Sequence, residues 1–225
     1  MTGIHLGTMP PPCDAALLEL LRQVEPATIG HFHDRGFLHG GIKAMTTLAP
    51  VARIVGTAVT VRCEGTDGSI LHHALGQLRP NDFLVVDRAG DHTVACIGGA
   101  SVLAAQLRGA AGIVVDGCVT DIAELRELGL AVWASGLSAR TTRSGGQVGS
   151  FCAPVDCGGV RVHPGDVILA DENGLLVMAP AEARALAEKA LALQSAEQLT
   201  LARLRAGETY PEVLGTRLSV SEVAA

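Results

Sequence analysis

The segment from Ala110 to Leu130, AAGIVVDGCVTDIAELRELGL, ends an apolar run at Asp116-Gly117 and places a second carboxylate, Asp121, five residues later. An acid at the C-terminal end of a parallel strand lies where open α/β sheets bind their ligands. Asp121 also opens a helical pattern, where an aspartate is an ordinary N-cap. The same residue type suits Mg2+, which keeps several waters and needs few protein carboxylates. Residue chemistry alone leaves both readings open. Upstream, Gly98-Gly99-Ala100-Ser101 stands between a strand pattern and a helix pattern. Glycines there free backbone N–H groups to face a carboxylate or phosphate at the helix N-terminus. The competing reading is a tight connection that uses the φ range of glycine. The two motifs are consecutive, so both could line one crevice.

Other polar residues give weaker signals. His31 and His33 diverge by about 200° on a helix, which argues against a chelate. His72-His73 reads as one inward and one exposed side chain, and Asp67, Asp91 and His92 add polar groups near strand ends. No G-x-S-x-G, H-E-x-x-H or G-x-x-x-x-G-K-[ST] motif is present, so serine-hydrolase, zincin and P-loop readings fall away. Lys43 and Lys189 stand in no pocket motif, which disfavours a Schiff-base aldolase.

The elements that must position these residues follow from periodicity. The segments 53–63, 81–88, 112–117 and 130–136 read as strands, and 68–78, 98–110 and 121–129 as helices between them. That order fits right-handed βαβ units. Residues 13–25 form an amphipathic helix ended by Pro26, and Thr28 caps a second over 29–37. MTGIHLGTMPPP reads as a loose arm, 146–180 as a small β-rich unit, and 181 to about 206 as a helix. The expected division is residues 1–26 as arm and helix, 27–180 as an α/β domain, and 181–225 as a helical tail.

Composition narrows the class. The 225 residues are 48% hydrophobic, 18% charged and only 3% aromatic, with 27 glycines, as in an aliphatic, tightly packed α/β enzyme. A net charge of −6 without a basic stripe disfavours nucleic acid as a partner. Six cysteines without a C-x-x-C pair read as free structural thiols. No signal peptide or membrane-spanning run is recognisable, so the expected setting is cytoplasmic, away from membranes.

The pattern GG-x4-AA-x3-G-x2-G-x-VVDG-x3-D (98–121), followed by CGGVRVHPGDVILADENGLLVMAP (157–180), resembles the RraA-like family. That family contains RNase E activity regulators and class II 4-hydroxy-4-methyl-2-oxoglutarate and 4-carboxy-4-hydroxy-2-oxoadipate aldolases. The resemblance runs from about Thr28 into the C-terminal helix. It implies an α/β fold, a β/β/α swivelling-domain-like sandwich with a C-terminal helical tail, assembled as a homotrimer or a dimer of trimers.

The resemblance also implies chemistry: metal-assisted C–C cleavage beside a 2-oxo acid, with Mg2+ or Mn2+ polarising the keto oxygen and oxaloacetate decarboxylation as a side activity. Carried over by position, the metal ligand is Asp121 and the carboxylate-binding loop is Gly98, Gly99, Ala100 and Ser101. Glu197 matches an acid that a neighbouring subunit lends to the metal's water shell, and His31 falls at an N-terminal acid of that shell. Thr120 occupies the position of the aldolases' substrate-holding arginine, and Gly99 that of their loop acid. A threonine hydroxyl cannot reproduce a bidentate arginine–carboxylate pair. Arg88, Arg140 or Arg143 would have to supply it from another loop, with Arg143 the assigned residue. The alternative function is a non-catalytic protein-binding regulator.

Overall fold

A computed structural model describes residues 3–46, 52–145 and 148–216. Residues 1–2 of the expected arm, 146–147 of the expected β-rich unit and 217–225 of the expected tail lie outside them.

Four parallel strands form the centre: β3 (Ile54–Arg62), β4 (Asp82–Asp87), β6 (Gly112–Val119) and β7 (Ala131–Leu137). They are joined through α3 (Ser69–Gln77), α4 (Gly99–Leu107) and α5 (Ile122–Leu128). The strands are aliphatic on both faces, as buried parallel strands must be. The two-residue side-chain period then divides them between two cores. Val59, Val61, Leu84, Val86, Ile113 and Val115 meet α3–α5, through Ile70, Leu71, Val102 and Leu125. Ala58, Phe83, Val85, Val114 and Trp133 face the other way, against Val155, Cys157, Val162 and Ile168. Trp133 packs on Phe83 with ring centroids 5.7 Å apart, and its indole N–H donates to Asp171 O at 3.2 Å.

That second face is covered by β-structure. A two-stranded sheet, β9 (Val155–Cys157) and β10 (Val160–Val162), lies over it. The antiparallel pair β11 (Val167–Asp171) and β12 (Gly174–Met178) joins the main sheet at β3, as does β8 (Val148–Phe151). The result is the expected β/β/α layering. The stretch 146–180 is therefore not a separate β unit, because three of its strands complete the main sheet.

A third core lies at the β11–β12 end. There α1 (Ala15–Leu21), α2 (Pro26–Gly30) and α6 (Pro180–Arg205) bury Leu17, Leu21, Ile29, Ala183 and Ala187 over Val167, Leu169 and Met178. The second helix departs from the sequence expectation. Pro26 stands at its start, where proline costs nothing, and the helix ends at Gly30 with His31 as its C-cap. Neither His31 nor His33 is helical. The arm is likewise not loose, since β1 (Gly3–Leu6) pairs in parallel with β8. Two short strands, β2 (Lys43–Ala44) and β5 (Ala95–Ile97), and a last helix, α7 (Tyr210–Leu214), complete the fold. Among the described residues, no helix is long and apolar enough to cross a membrane.

Candidate active site

β6 carries the first aspartate of the motif and leads into the second, and a bulge separates their surroundings. From Val115 to Cys118 β6 advances three residues while β7 advances two, from Ala134 to Gly136. An extra residue of this kind bends a strand and re-aims its side chains. Asp116 turns towards the β9–β10 layer. Its Oδ2 accepts the Gly158 N–H at 2.8 Å and its Oδ1 the Ser135 hydroxyl at 3.4 Å.

Asp121 is placed otherwise. It is exposed and adopts the left-handed conformation, φ 55° and ψ 39°, which costs most side chains energy and aspartate less than most. It stands at the N-cap of α5 but makes no side-chain cap there, so the ordinary N-cap reading does not hold. The carboxylate crosses instead to α4. Its Oδ2 accepts the Gly99 N–H at 3.0 Å, and its Oδ1 accepts the Thr120 hydroxyl at 3.3 Å.

The glycine pair is explained by this crossing. A Cβ at position 98 would collide with Asp121 Oδ2 and lie 2.9 Å from Thr120 Cγ2. One at position 99 would collide with Glu124 Oε2. Two carboxylates, Asp121 and Glu124, thus approach the N-terminus of α4 where side chains are missing. Glu124 was not a candidate from sequence. Its spacing of three from Asp121 is visible there, but its approach to Gly99 is a tertiary fact. The Ala100 and Ser101 N–H groups in the first turn of α4 have no intrahelical acceptor. The first bond back is from Val102 N–H to Gly98 O, at 3.0 Å.

Thr120, Asp121, Ile122, Leu137, Ser138 and Ala139 line a cleft of about 240 Å³. Ala139 also lines a neighbouring cleft of about 460 Å³, with Thr66, Arg140, Thr141 and Arg143. The three arginines named from sequence separate here. Arg88 is fully buried and fastened to Cys63 O and Gly65 O at 2.6 Å and to Asp91 at 3.1 Å, so it is a structural strut and cannot reach the cleft. Arg140 and Arg143 are exposed at its border. Glu197 is exposed on α6 and His31 is exposed just past the end of α2, and neither lines the Asp121 cleft.

The six cysteines are free. Burial pushes the Cys96 thiol up to about 12 and raises those of Cys63 and Cys118, so these stay protonated packing groups. The Asp91 carboxyl is held below the usual range, chiefly by the Thr93 hydroxyl, with Arg88 adding to it.

As a metal site, the Asp121 corner offers one carboxylate, with Glu124 close by. Among the described residues, no three or more His, Cys, Asp or Glu side chains gather as a cage. That donor set does not suit zinc. It fits a hard divalent cation that retains its waters.

A family model, RraA-like, described as Aldolase/RraA, matches residues 13–177. The chain belongs to the RraA-like family. A Halalkalibacterium halodurans relative named "Putative 4-hydroxy-4-methyl-2-oxoglutarate aldolase" is 31% identical over 164 residues, covering 72% of this chain and 78% of its own. A Burkholderia mallei relative of the same name is 41% identical over 127 residues, 56% of this chain and 76% of its own. Among solved structures, Streptomyces coelicolor RraAS2, titled an unusual member of the RNase ES inhibitor RraA protein family, superposes with a TM-score of 0.74 at 28% identity. It covers 86% of this chain and 98% of its own. This RraA-like chain is thus similar both to proteins named as aldolases and to proteins titled as RNase inhibitors.

Proposed function

We propose that this RraA-like chain is a divalent-metal-dependent lyase acting on a 2-oxo acid, of the 4-hydroxy-4-methyl-2-oxoglutarate aldolase and oxaloacetate decarboxylase type. The observation that carries this reading is Asp121. A non-glycine residue held in the left-handed region, with its carboxylate exposed beside a helix N-terminus, is a local cost that a purely structural cap does not require.

In this reading Asp121 holds Mg2+ or Mn2+. The ion, when bound, supplies Lewis-acid polarisation of a keto oxygen. The N–H groups of Ala100 and Ser101 receive the substrate carboxylate at the start of α4, where the helix dipole favours negative charge. Gly98 and Gly99 keep that approach clear, and Thr120 orients the Asp121 carboxylate. Arg143 supplies positive charge across Ala139. Glu197 of a second copy holds the water that moves the proton, in a homotrimer or dimer of trimers. The exposed second half of α6, with Leu193 and Leu199 outward, supports that assembly. A cytoplasmic location belongs to the same proposal.

Thr120 in place of arginine, together with the RNase-inhibitor titles of structural relatives, favours one second reading, a non-catalytic protein-binding regulator. Incubation with oxaloacetate and other 2-oxo acids, coupled to pyruvate detection, separates the two. Pyruvate release that needs Mg2+ or Mn2+, stops with chelator and is lost in Asp121→Asn supports the lyase. No metal-dependent release from any 2-oxo acid, in protein that binds the metal, leaves the regulator.

A further inference from the structure

We infer that the cleft lined by Thr66, Ala139, Arg140, Thr141 and Arg143 is an oxyanion site built for a phosphate group. Its frame is fixed by main-chain bonds on both sides. Ala95 N–H donates to Arg140 O at 2.8 Å, and Thr142 N–H returns to Ala95 O at 3.0 Å. Arg143 N–H donates to Thr66 O at 2.7 Å, and Gly68 N–H to Arg143 O at 2.9 Å. Ser138 adds its hydroxyl, which donates to Thr93 O at 2.7 Å and accepts the Arg140 N–H at 3.1 Å. The backbone that carries both arginines is therefore held in place before any ligand arrives.

The side chains are left over. Among the described residues, eight other arginines spend their guanidinium groups on ion pairs: Arg22, Arg53, Arg62, Arg79, Arg88, Arg161, Arg184 and Arg203. Arg35 and Arg205 are also unpaired, but neither lines this cleft. Among the described residues, Arg140 and Arg143 form no side-chain hydrogen bond or ion pair, and no carboxylate lines their cleft. Two guanidinium groups beside two threonines offer fixed positive charge and hydroxyl donors. One guanidinium fork is enough for a carboxylate. A phosphate carries about −1.5 to −2 charge on three oxygens, which matches two forks and neutralises both.

Ala139 lines both this cleft and that of Asp121, so one ligand can reach from the arginines to Asp121. On the lyase reading, on which this substrate class rests, the ligand is a phosphorylated 2-oxo acid. The oxyanion site itself stands without that reading.

The test is calorimetric titration of inorganic phosphate into metal-free protein at constant ionic strength, with succinate as the carboxylate control. Saturable phosphate binding is expected, weakened about tenfold or more in Arg140→Gln and in Arg143→Gln, absent in the double variant, and unchanged in Asp121→Asn. Both side chains are exposed and unpaired, so wild-type melting curves are expected for the variants, and Arg→Lys at each position, which keeps the charge, should bind with intermediate affinity. No saturable phosphate binding, undiminished binding in the double variant, or tighter binding of succinate than of phosphate overturns the proposal. Phosphate binding without metal-dependent lyase activity overturns only the lyase reading, and the converse result overturns only this site.

Discussion

Asp116 and Asp121 are five residues apart in one motif and share a side chain, yet the fold uses them in opposite ways. Asp116 is half-buried, and both its oxygens accept bonds from β7 and the β9–β10 turn, so it ties the layers of the sandwich together. Asp121 is exposed, sits in a left-handed conformation and reaches across to a neighbouring helix. The bulge at Val115–Cys118 re-aims Asp116, and Asp121 follows beyond the end of β6. A carboxylate that satisfies its neighbours contributes stability. One held at a conformational cost in an open cleft is available to a ligand. On the proposed function, the motif divides into a structural half at Asp116 and a ligand-binding half at Asp121.

The strongest perturbation falls on the Asp121 half. Gly98→Ala introduces a Cβ against Asp121 Oδ2, and the exposed carboxylate must swing away. A displacement of about 1 Å costs on the order of a hundredfold in activity, so kcat/KM for metal-dependent pyruvate release should fall by about that factor. The melting temperature should fall by a few degrees as well, because the Gly99 N–H loses its carboxylate acceptor.

Next comes Asp116→Ala, which leaves the Gly158 N–H without its acceptor. A loss of about 1–3 kcal/mol is expected in denaturant unfolding, or roughly 2–4 °C in Tm for each kcal/mol. Divalent-metal affinity should stay at the wild-type value. The smallest effect sharpens the assignment of strain. Asp121→Gly and Asp121→Ala both remove the carboxylate, but only glycine accepts φ 55° freely. Asp121→Gly should be the more stable of the two by about 1 kcal/mol, and equal melting curves would show that position 121 carries no backbone strain.

The central βαβ order was legible in the sequence because each strand there is a continuous aliphatic run and each helix has its own apolar face. Elements defined by their partners were not. β1 is four residues long and exists through its pairing with β8. The early start of α2 at Pro26 follows from proline opening the helix, a signal that serves equally well to end the helix before it. In the candidate site, the closeness of Asp121 to the glycine corner was readable from motif and spacing. Two facts needed three dimensions. One is the convergence of Glu124 on Gly99. The other is the burial of Arg88, which leaves Arg140 and Arg143 as the cations at the cleft border.

On the proposed function, Asp121 holds the divalent cation. Titration of Mn2+ into wild type, Asp121→Asn and Asp116→Asn, followed by calorimetry, tests it most directly. A site with one protein carboxylate and a retained water shell gives the ion little other hold. Asp121→Asn should therefore lose measurable binding, while Asp116→Asn binds as the wild type does and melts at a lower temperature. Equal Mn2+ affinity in wild type and Asp121→Asn would contradict it.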